Sequence, residues 1–313
     1  MLYFTISPSL CRRNVPGYRW RWAISKTLDM SRPHRFHQID VFSGEHFLGN
    51  PLAVVHGADG LTAEQMAAFA RWTNLSETTF LMTPTGPTAD YRVRIFTPGG
   101  ELPFAGHPTL GSACAWLAAG GRARSDLEVV QECGIGLVRI RRNGQRLAFA
   151  APPLRRSGPL DETLVSTIAA GLNLPRSAIV SHQWVDNGPG WCAVMLRSAA
   201  EVLHLRPNPL VLGDLKLGVI GRQPPGAETL FEVRAFVPGL GVPEDPVTGS
   251  LNAGLGIWLI RTDEAPSKFS ISQGTAVGRR GRVYVERAGE DFWIGGDVAI
   301  RIEGLVGFPA NLP

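Results

Sequence analysis

The 313-residue sequence lacks the features that mark several large classes of protein. No run of about 20 apolar residues occurs, so no segment resembles a membrane-spanning helix. The glycine-rich motifs of nucleotide-binding loops, the HExxH motif of zinc proteases and the GxSxG motif of hydrolases are also missing. The chain therefore offers no motif support for a membrane protein, a nucleotide-binding enzyme, a zinc protease or an α/β-hydrolase.

Cysteine is scarce and histidine is not clustered. The four cysteines form no CxxC pair, and the seven histidines show no spacing typical of metal ligands. We therefore expect no metal site. Isolated thiols of this kind are typical of reduced proteins, which predicts a cytoplasmic location.

Positive charge is concentrated at the N-terminus. Residues 1–35 carry seven basic and one acidic side chain, whereas residues 36–313 carry 24 basic and 26 acidic ones. A nucleic-acid-binding protein concentrates positive charge on its folded body, so we expect no nucleic-acid partner. The basic extension is interpreted as a targeting peptide or, preferably, as sequence ahead of a true start at Met30.

What the sequence does contain is an internal repeat. Residues 93–112 (VRIFTPGGELPFAGHPTLGS) and 233–250 (VRAFVPGLGVPEDPVTGS) match at a spacing of 140 residues, which becomes 138 after a two-residue deletion. This spacing is the length of a domain and far exceeds that of a solenoid repeat. The sequence therefore predicts two related domains, at residues 36–153 and 154–313.

The pattern of short β-rich runs and apolar segments predicts a mixed α/β (α+β) fold. The predicted helices cover 62–72, 108–120, 161–172 and 247–260. The predicted strands cover 36–42, 52–56, 78–83, 91–97, 127–132, 136–142, 146–150, 178–185, 191–197, 229–237, 268–273, 281–287, 291–295 and 298–303. Two of the helices, 108–120 and 247–260, lack charged residues, which is typical of helices buried on all sides. We expect a strongly curved sheet around each of them.

The repeated turn places different polar residues at the start of the two apolar helices. His107 in the first copy corresponds to Asp245 in the second. Because a helix N-terminus presents free N–H groups and a positive dipole, two such ends facing each other would suit a carboxylate ligand. His107 could instead be a structural histidine, and Asp245 could simply cap its helix.

Glu77, in the stretch WTNLSETTF, is a third candidate. A carboxylate at the entry to a strand is usually solvated or accepts a local hydrogen bond. At the 140-residue spacing its counterpart is Leu217, so the repeat is broken here, and a lone acid in one half could serve as a general base. The pair Cys133 and Cys192 leaves open a different mechanism, because one thiol from each half can carry out racemisation.

Five motifs, in order along the chain, closely resemble the phenazine-biosynthesis-like (PhzF) isomerase family: QIDVFSGEHFLGNPLAVV, NLSETTFL, GGELPFAGHPTLG, EDPVTGSLNAG and SQGTAVGRRGRVYV. The resemblance covers residues from about 36 to 313. It implies the diaminopimelate-epimerase-like fold, with two pseudo-symmetric domains flanking one cleft. It also implies a cofactor-independent isomerase that moves a proton between carbons, with no cofactor bound.

By the same resemblance, Glu77 is the catalytic acid–base, and His107, Asp245 and Ser250 hold the substrate and handle protons. The helix-end amides around Gly106–His107 and Gly249–Ser250 would bind substrate polar groups. The implied substrate is a small carboxylate such as a dihydro-hydroxyanthranilate, although its identity stays open. A homodimer is expected by analogy with the family. A cysteine-type racemase and a non-catalytic protein that binds a small acid are the alternatives.

Overall fold

We describe the protein from a computed structural model, in which residues 33–144, 146–240 and 242–309 are described. The prediction about the N-terminal extension falls on residues 1–32, which lie outside the described residues. Within the described part of the chain, no helix is long and apolar enough to cross a membrane.

The structure is built mainly from β-strands. The sixteen strands of the described residues are β1 (His34–Val41), β2 (Asn50–Val55), β3 (Glu77–Met82), β4 (Tyr91–Thr97), β5 (Gly100–Leu102), β6 (Glu128–Cys133), β7 (Gly136–Asn143), β8 (Arg146–Ala150), β9 (Ser181–Trp184), β10 (Trp191–Leu196), β11 (Lys216–Arg222), β12 (Phe231–Val237), β13 (Val242–Asp245), β14 (Lys268–Gln273), β15 (Gly281–Ala288) and β16 (Asp291–Val306). The described residues also form six α-helices: α1 (Ala63–Thr73), α2 (Gly106–Ala118), α3 (Glu162–Gly171), α4 (Ala199–His204), α5 (Pro209–Leu212) and α6 (Gly249–Arg261).

The strand order shows the same pattern in each half. The first half runs β1-β2-β3-β4-β6-β7-β8, and the second runs β9-β10-β11-β12-β14-β15-β16. β16 joins the halves, because it pairs with β15 and β8 along its first part and with β1 along its last part. The pairing of β1 with β16 closes the strands of the first half into a barrel.

The 140-residue repeat is visible in the strand register. Leu52 of β2 pairs with Glu77 of β3, and Cys192 of β10 pairs with Leu217 of β11. Both strand pairs are parallel, and their residues differ by 140 positions on each strand. The structure therefore confirms that Leu217 is the counterpart of Glu77.

Each half surrounds one apolar helix, as predicted. α2 contacts β1, β2, β3, β4, β6, β8 and β16, whereas α6 contacts β10, β15 and β16. Residues 249–260 of α6 are all buried, and so are residues 106–113 of α2. Neither helix carries a charged side chain along these stretches, because burial of an unpaired charge is strongly unfavourable. The predicted mixed α/β fold class, with a curved sheet around each helix, is confirmed.

The predicted elements missed strands β5, β11 and β13 and helices α4 and α5. The stretch KLGVIGR of β11 reads poorly as a strand because two glycines interrupt it. The packing explains one of them: a Cβ on Gly221 would lie 2.3 Å from the Ser198 carbonyl oxygen at the start of α4. The two strands predicted at 291–295 and 298–303 form the single long strand β16, which continues through Gly295 and Gly296.

Candidate active site

The N-termini of the two buried helices meet at a pair of glycines. A Cβ added to Gly249 would lie 2.8 Å from the Gly106 Cα and 3.0 Å from the backbone nitrogen of His107. Only residues without a side chain allow the two helix ends to approach this closely. Their first N–H groups, which have no partner within the helix, are therefore brought to one place.

We expect Gly249→Ala to destabilise the protein, because the new methyl group would meet backbone atoms that cannot rotate away. The loss should be about 1–3 kcal/mol of unfolding free energy, the usual range for overpacking. Chemical denaturation measures it. Gly86→Ala is the control, because a Cβ at Gly86 would meet nothing within 4 Å. Equal stability of the two variants would contradict this account of the helix contact.

His107 lies in the first turn of α2 and is buried, with a side-chain exposure of 4%. Its Nδ1 lies 3.4 Å from Nδ2 of Asn50. The same Asn50 nitrogen donates to the carbonyl oxygen of Val247 at 2.9 Å, which can only accept, so this end of the amide is the NH₂ group. His107 Nδ1 therefore faces an NH₂ group that cannot accept a proton, so Nδ1 is the unprotonated ring nitrogen. Neutral His107 then carries its proton on Nε2.

Asp245 ends β13, four residues before the first residue of α6. Its Oδ1 accepts from Asn50 Nδ2 at 3.1 Å, and its Oδ2 accepts from the Thr248 hydroxyl at 2.5 Å. The N-cap residue of α6 is Thr248 itself, so the interpretation of Asp245 as a helix cap is wrong. Asn50 thus contacts the histidine of one half and the aspartate of the other.

Glu77 is the first residue of β3, and its carboxyl group faces the imidazole of His107. Its Oε2 is 3.4 Å from Nε2 of His107, and its side chain is 15% exposed. Neither of these two buried atoms has a hydrogen-bond partner. Ser76, just before it, donates its hydroxyl to Asn50 Oδ1 at 3.1 Å. The structure therefore brings Glu77, His107 and Asp245 together around the Asn50 amide.

Burial sets the protonation states of this cluster. It raises the pKa of Glu77 to about 8, and the nearby charge of Asp245 contributes to that rise. It raises the pKa of Asp245 to about 6, against the opposing effect of the hydrogen bonds from Thr248 and Asn50. It lowers the pKa of His107 to about 3, so the imidazole is neutral near pH 7. A carboxyl group whose pKa lies near neutrality suits reversible proton transfer.

Ser250, the second residue of α6, is buried and already bonded within the protein. Its hydroxyl accepts from the Trp191 indole nitrogen at 3.0 Å, and its carbonyl oxygen accepts from the Asn187 amide at 2.9 Å. The serine hydroxyl keeps its own proton free for donation. Oδ1 of Asn187 is also buried without a partner.

Asn50 is the functional residue that sequence reasoning missed. Its side chain is fully buried, yet it contacts residues that lie 26, 57 and 195 positions away. The repeat gave no signal, because the residue 140 positions later is Gly190. The available signal was an asparagine next to a proline at the start of a strand inside the motif FLGNPLAVV.

The two cysteines considered for racemisation lie elsewhere. Cys192 packs into the hydrophobic cluster of the second half, where burial raises the pKa of its thiol to about 12. Cys133 packs against the separate cluster that contains α2 and α6, and burial also raises its pKa. In the described residues, no group of three or more His, Cys, Asp and Glu side chains is arranged to hold a metal ion.

The chain was compared with families of known proteins. The sequence pattern of the family described as phenazine biosynthesis-like protein (PhzC-PhzF) matches residues 39–304. The chain belongs to this family. The match spans both halves, including every residue of the cluster around Asn50.

Curated relatives agree with this assignment to the PhzC-PhzF family. The chain is 36% identical over 266 residues to a trans-2,3-dihydro-3-hydroxyanthranilate isomerase of Pseudomonas aeruginosa, covering 82% of this chain and 92% of that protein. It is 38% identical over 267 residues to the Schizosaccharomyces pombe protein called antisense-enhancing sequence 1, covering 79% and 88%. A PhzF-family crystal structure from Enterococcus faecalis shares the fold, with a TM-score of 0.73, 23% identity and coverage of 88% and 99%. The protein is a PhzF-type isomerase.

Proposed function

We propose that the protein is a cofactor-independent isomerase that moves a proton between two carbons of a small carboxylate substrate in a cleft between the two halves. The observation that carries the proposal is the contact of Glu77 with His107 beside Asp245. A largely buried carboxyl group with a pKa of about 8 faces a neutral imidazole N–H at 3.4 Å. Among the described residues neither facing atom has a hydrogen-bond partner, and a substrate would supply one.

In the proposed reaction Glu77 takes a proton from a substrate carbon and the C–H electron pair shifts into the conjugated system. The double bond moves, and the carboxylic acid formed on Glu77 returns the proton to a different carbon. Atoms and electrons balance without an oxidant, a reductant or a second substrate. Because one carboxyl group both accepts and donates the proton, a pKa near neutrality serves both steps.

The remaining residues orient the substrate and disperse its charge. The N–H groups of Gly106 and Gly249 lie at the two helix N-termini, where the dipoles favour a carboxylate. His107 Nε2–H and the Ser250 hydroxyl are neutral donors for oxygen or nitrogen atoms of the substrate. Asp245 accepts from Asn50 and Thr248 and adds negative charge beside Glu77. Holding the reacting carbon within reach lowers the entropic part of the barrier.

The test is deuterium exchange from solvent into C–H bonds of candidate substrates. The panel contains trans-2,3-dihydro-3-hydroxyanthranilate, the compound named for the relative from Pseudomonas aeruginosa, together with amino and hydroxy acids. Exchange that Glu77→Gln abolishes supports the proposal. Exchange that survives in Glu77→Gln but is lost on thiol alkylation would support the cysteine racemase instead.

The pH dependence of turnover should reflect the Glu77–Asp245 pair. Because Glu77 must be ionised to accept a proton, kcat/KM should rise with pH up to about 8. Asp245→Asn removes a negative charge that raises the pKa of Glu77. The rise of kcat/KM with pH, measured on the residual activity of this variant, should therefore occur at lower pH than in the wild-type protein. A full pH–rate profile of both proteins measures the shift. If kcat/KM rises over the same pH range in both proteins, a group other than the Glu77–Asp245 pair determines the pH dependence.

We also propose that the protein forms a homodimer, acts in the cytoplasm and has neither nucleic-acid nor membrane partners. The family resemblance supports the dimer. Sedimentation at micromolar protein concentration tests it, and a strictly monomeric profile would exclude it.

A further inference from the structure

A polar cavity of about 380 Å³ lies on the far side of strand β14 from the cluster around Asn50. Ser272 lines the cavity, whereas the next residue, Gln273, donates to the Asp245 carbonyl oxygen. Successive residues of a strand point to opposite faces, so the cavity and the active site are separated by this strand. Its volume is at the lower end of the range of small-molecule sites.

Two acids line this cavity, Glu228 and Glu232, and Glu232 is buried, with only 1% of the residue exposed. Its Oε2 accepts from the Ser272 hydroxyl and from the Gln223 amide, the latter at 3.3 Å. Its Oε1 is buried and has no partner. A buried carboxylate oxygen without a donor is costly, so such an atom marks a place where a ligand donor would be stabilising.

The internal repeat gives a matched position for comparison. Glu232 pairs with Ser272 across β12 and β14, and 140 residues earlier Arg92 pairs with Glu132 across β4 and β6. In the first half both carboxylate oxygens of Glu132 are satisfied, because they accept from the backbone N–H and the hydroxyl of Thr85. The carboxylate of Glu232, by contrast, keeps one oxygen without a partner among the described residues.

Arginine side chains line the same cavity: Arg279, Arg280 and Arg282. Arg282 donates through Nη2 to Glu228 at 2.9 Å, but its Nε is buried and has no partner. The cavity therefore offers one unpartnered acceptor, on Glu232, and one unpartnered cationic donor, on Arg282. A guanidinium group is well suited to a carboxylate ligand.

We propose that this cavity binds a small zwitterion, a primary amine that also carries a carboxylate. The ammonium group donates to Glu232 Oε1, the acceptor that the described residues leave without a partner. The carboxylate accepts from Arg282 Nε and from the neighbouring arginines. Neither Glu232 nor Arg282 takes part in the proposed isomerisation, so the test of this binding site does not depend on the test of the isomerase activity.

Calorimetric titration of the full-length protein tests the proposal. The probes are glycine, β-alanine and 4-aminobutanoate, which differ in the distance between amine and carboxylate, with butylamine and butanoate as half-probes. At least one zwitterion should bind, and both half-probes should bind about 10-fold more weakly or worse, because each lacks one charged hydrogen bond. Absence of binding by all three zwitterions up to about 10 mM would overturn the proposal.

Variants then assign the binding to the cavity. Glu232→Gln and Arg282→Gln should each weaken the zwitterion about 10-fold or more. The matched control is Glu132→Gln, the same change at the corresponding strand pair of the first half, which should leave binding unchanged. Glu77→Gln should also bind normally. Loss of binding in Glu77→Gln, or full binding in folded Glu232→Gln or in Arg282→Gln, would overturn the proposal.

Discussion

Glu77→Gln should reduce the exchange of substrate C–H with solvent deuterium by about 10²–10⁴-fold, the usual contribution of a positioned general base. The substitution keeps the shape of the side chain and its place at the start of β3, but it removes the group that takes the proton. Calorimetric affinity for a substrate-like carboxylate should change far less, because the proposed clamp lies at the two helix ends. The variant should therefore lose turnover while it keeps most of its binding affinity.

Stability gives an independent check on the same variant. The folded-state pKa of Glu77 is raised from 4.5 to about 8 by burial, so ionisation of this group opposes folding as pH rises through that window. Wild-type stability should fall relative to Glu77→Gln between these two pH values. Glu101→Gln, at a partly exposed carboxyl group that pairs with Arg94, is the control for both measurements. Near wild-type exchange in Glu77→Gln would show that another group carries the proton.

Asn50→Leu should reduce turnover by about 10–100-fold, by analogy with removal of the hydrogen-bond partner that orients a metal-bound histidine. Leucine has a similar volume but donates nothing, so His107 loses the contact that keeps its proton on Nε2. Asp245 loses a donor that holds its pKa down. Both changes act on groups that face Glu77, although Asn50 itself makes no contact with the proposed reacting atoms.

The ring nitrogens of His107 provide the readout that distinguishes this positioning role from general damage. Nitrogen NMR of the wild-type protein should show neutral His107 protonated on Nε2, and Asn50→Leu should show a mixture of the two tautomers. Denaturation of the variant checks that it remains folded. Protonation on Nδ1 in the wild-type protein would contradict the assigned orientation.

Features that repeat or that follow local rules could be predicted from the sequence. The repeated turn pointed to His107 and Asp245, and the break in the repeat pointed to Glu77. Two uncharged segments predicted helices buried on all sides, and both lie inside curved sheets. Strand β11 was missed because its two glycines lower strand propensity. The packing reason for one of them, Gly221, lies at the start of helix α4, which the sequence pattern also did not show.

The sequence by itself determined the duplication, the fold class, the resemblance to the isomerase family and the three polar residues of the candidate site. These follow from local patterns and from matches along the chain. Only the tertiary structure decided that the three residues come together, because Asn50 contacts His107 and Asp245 across 57 and 195 residues of sequence, and His107 in turn faces Glu77. It also decided their protonation, since burial is a property of the folded chain and raises the pKa of Glu77 towards neutrality.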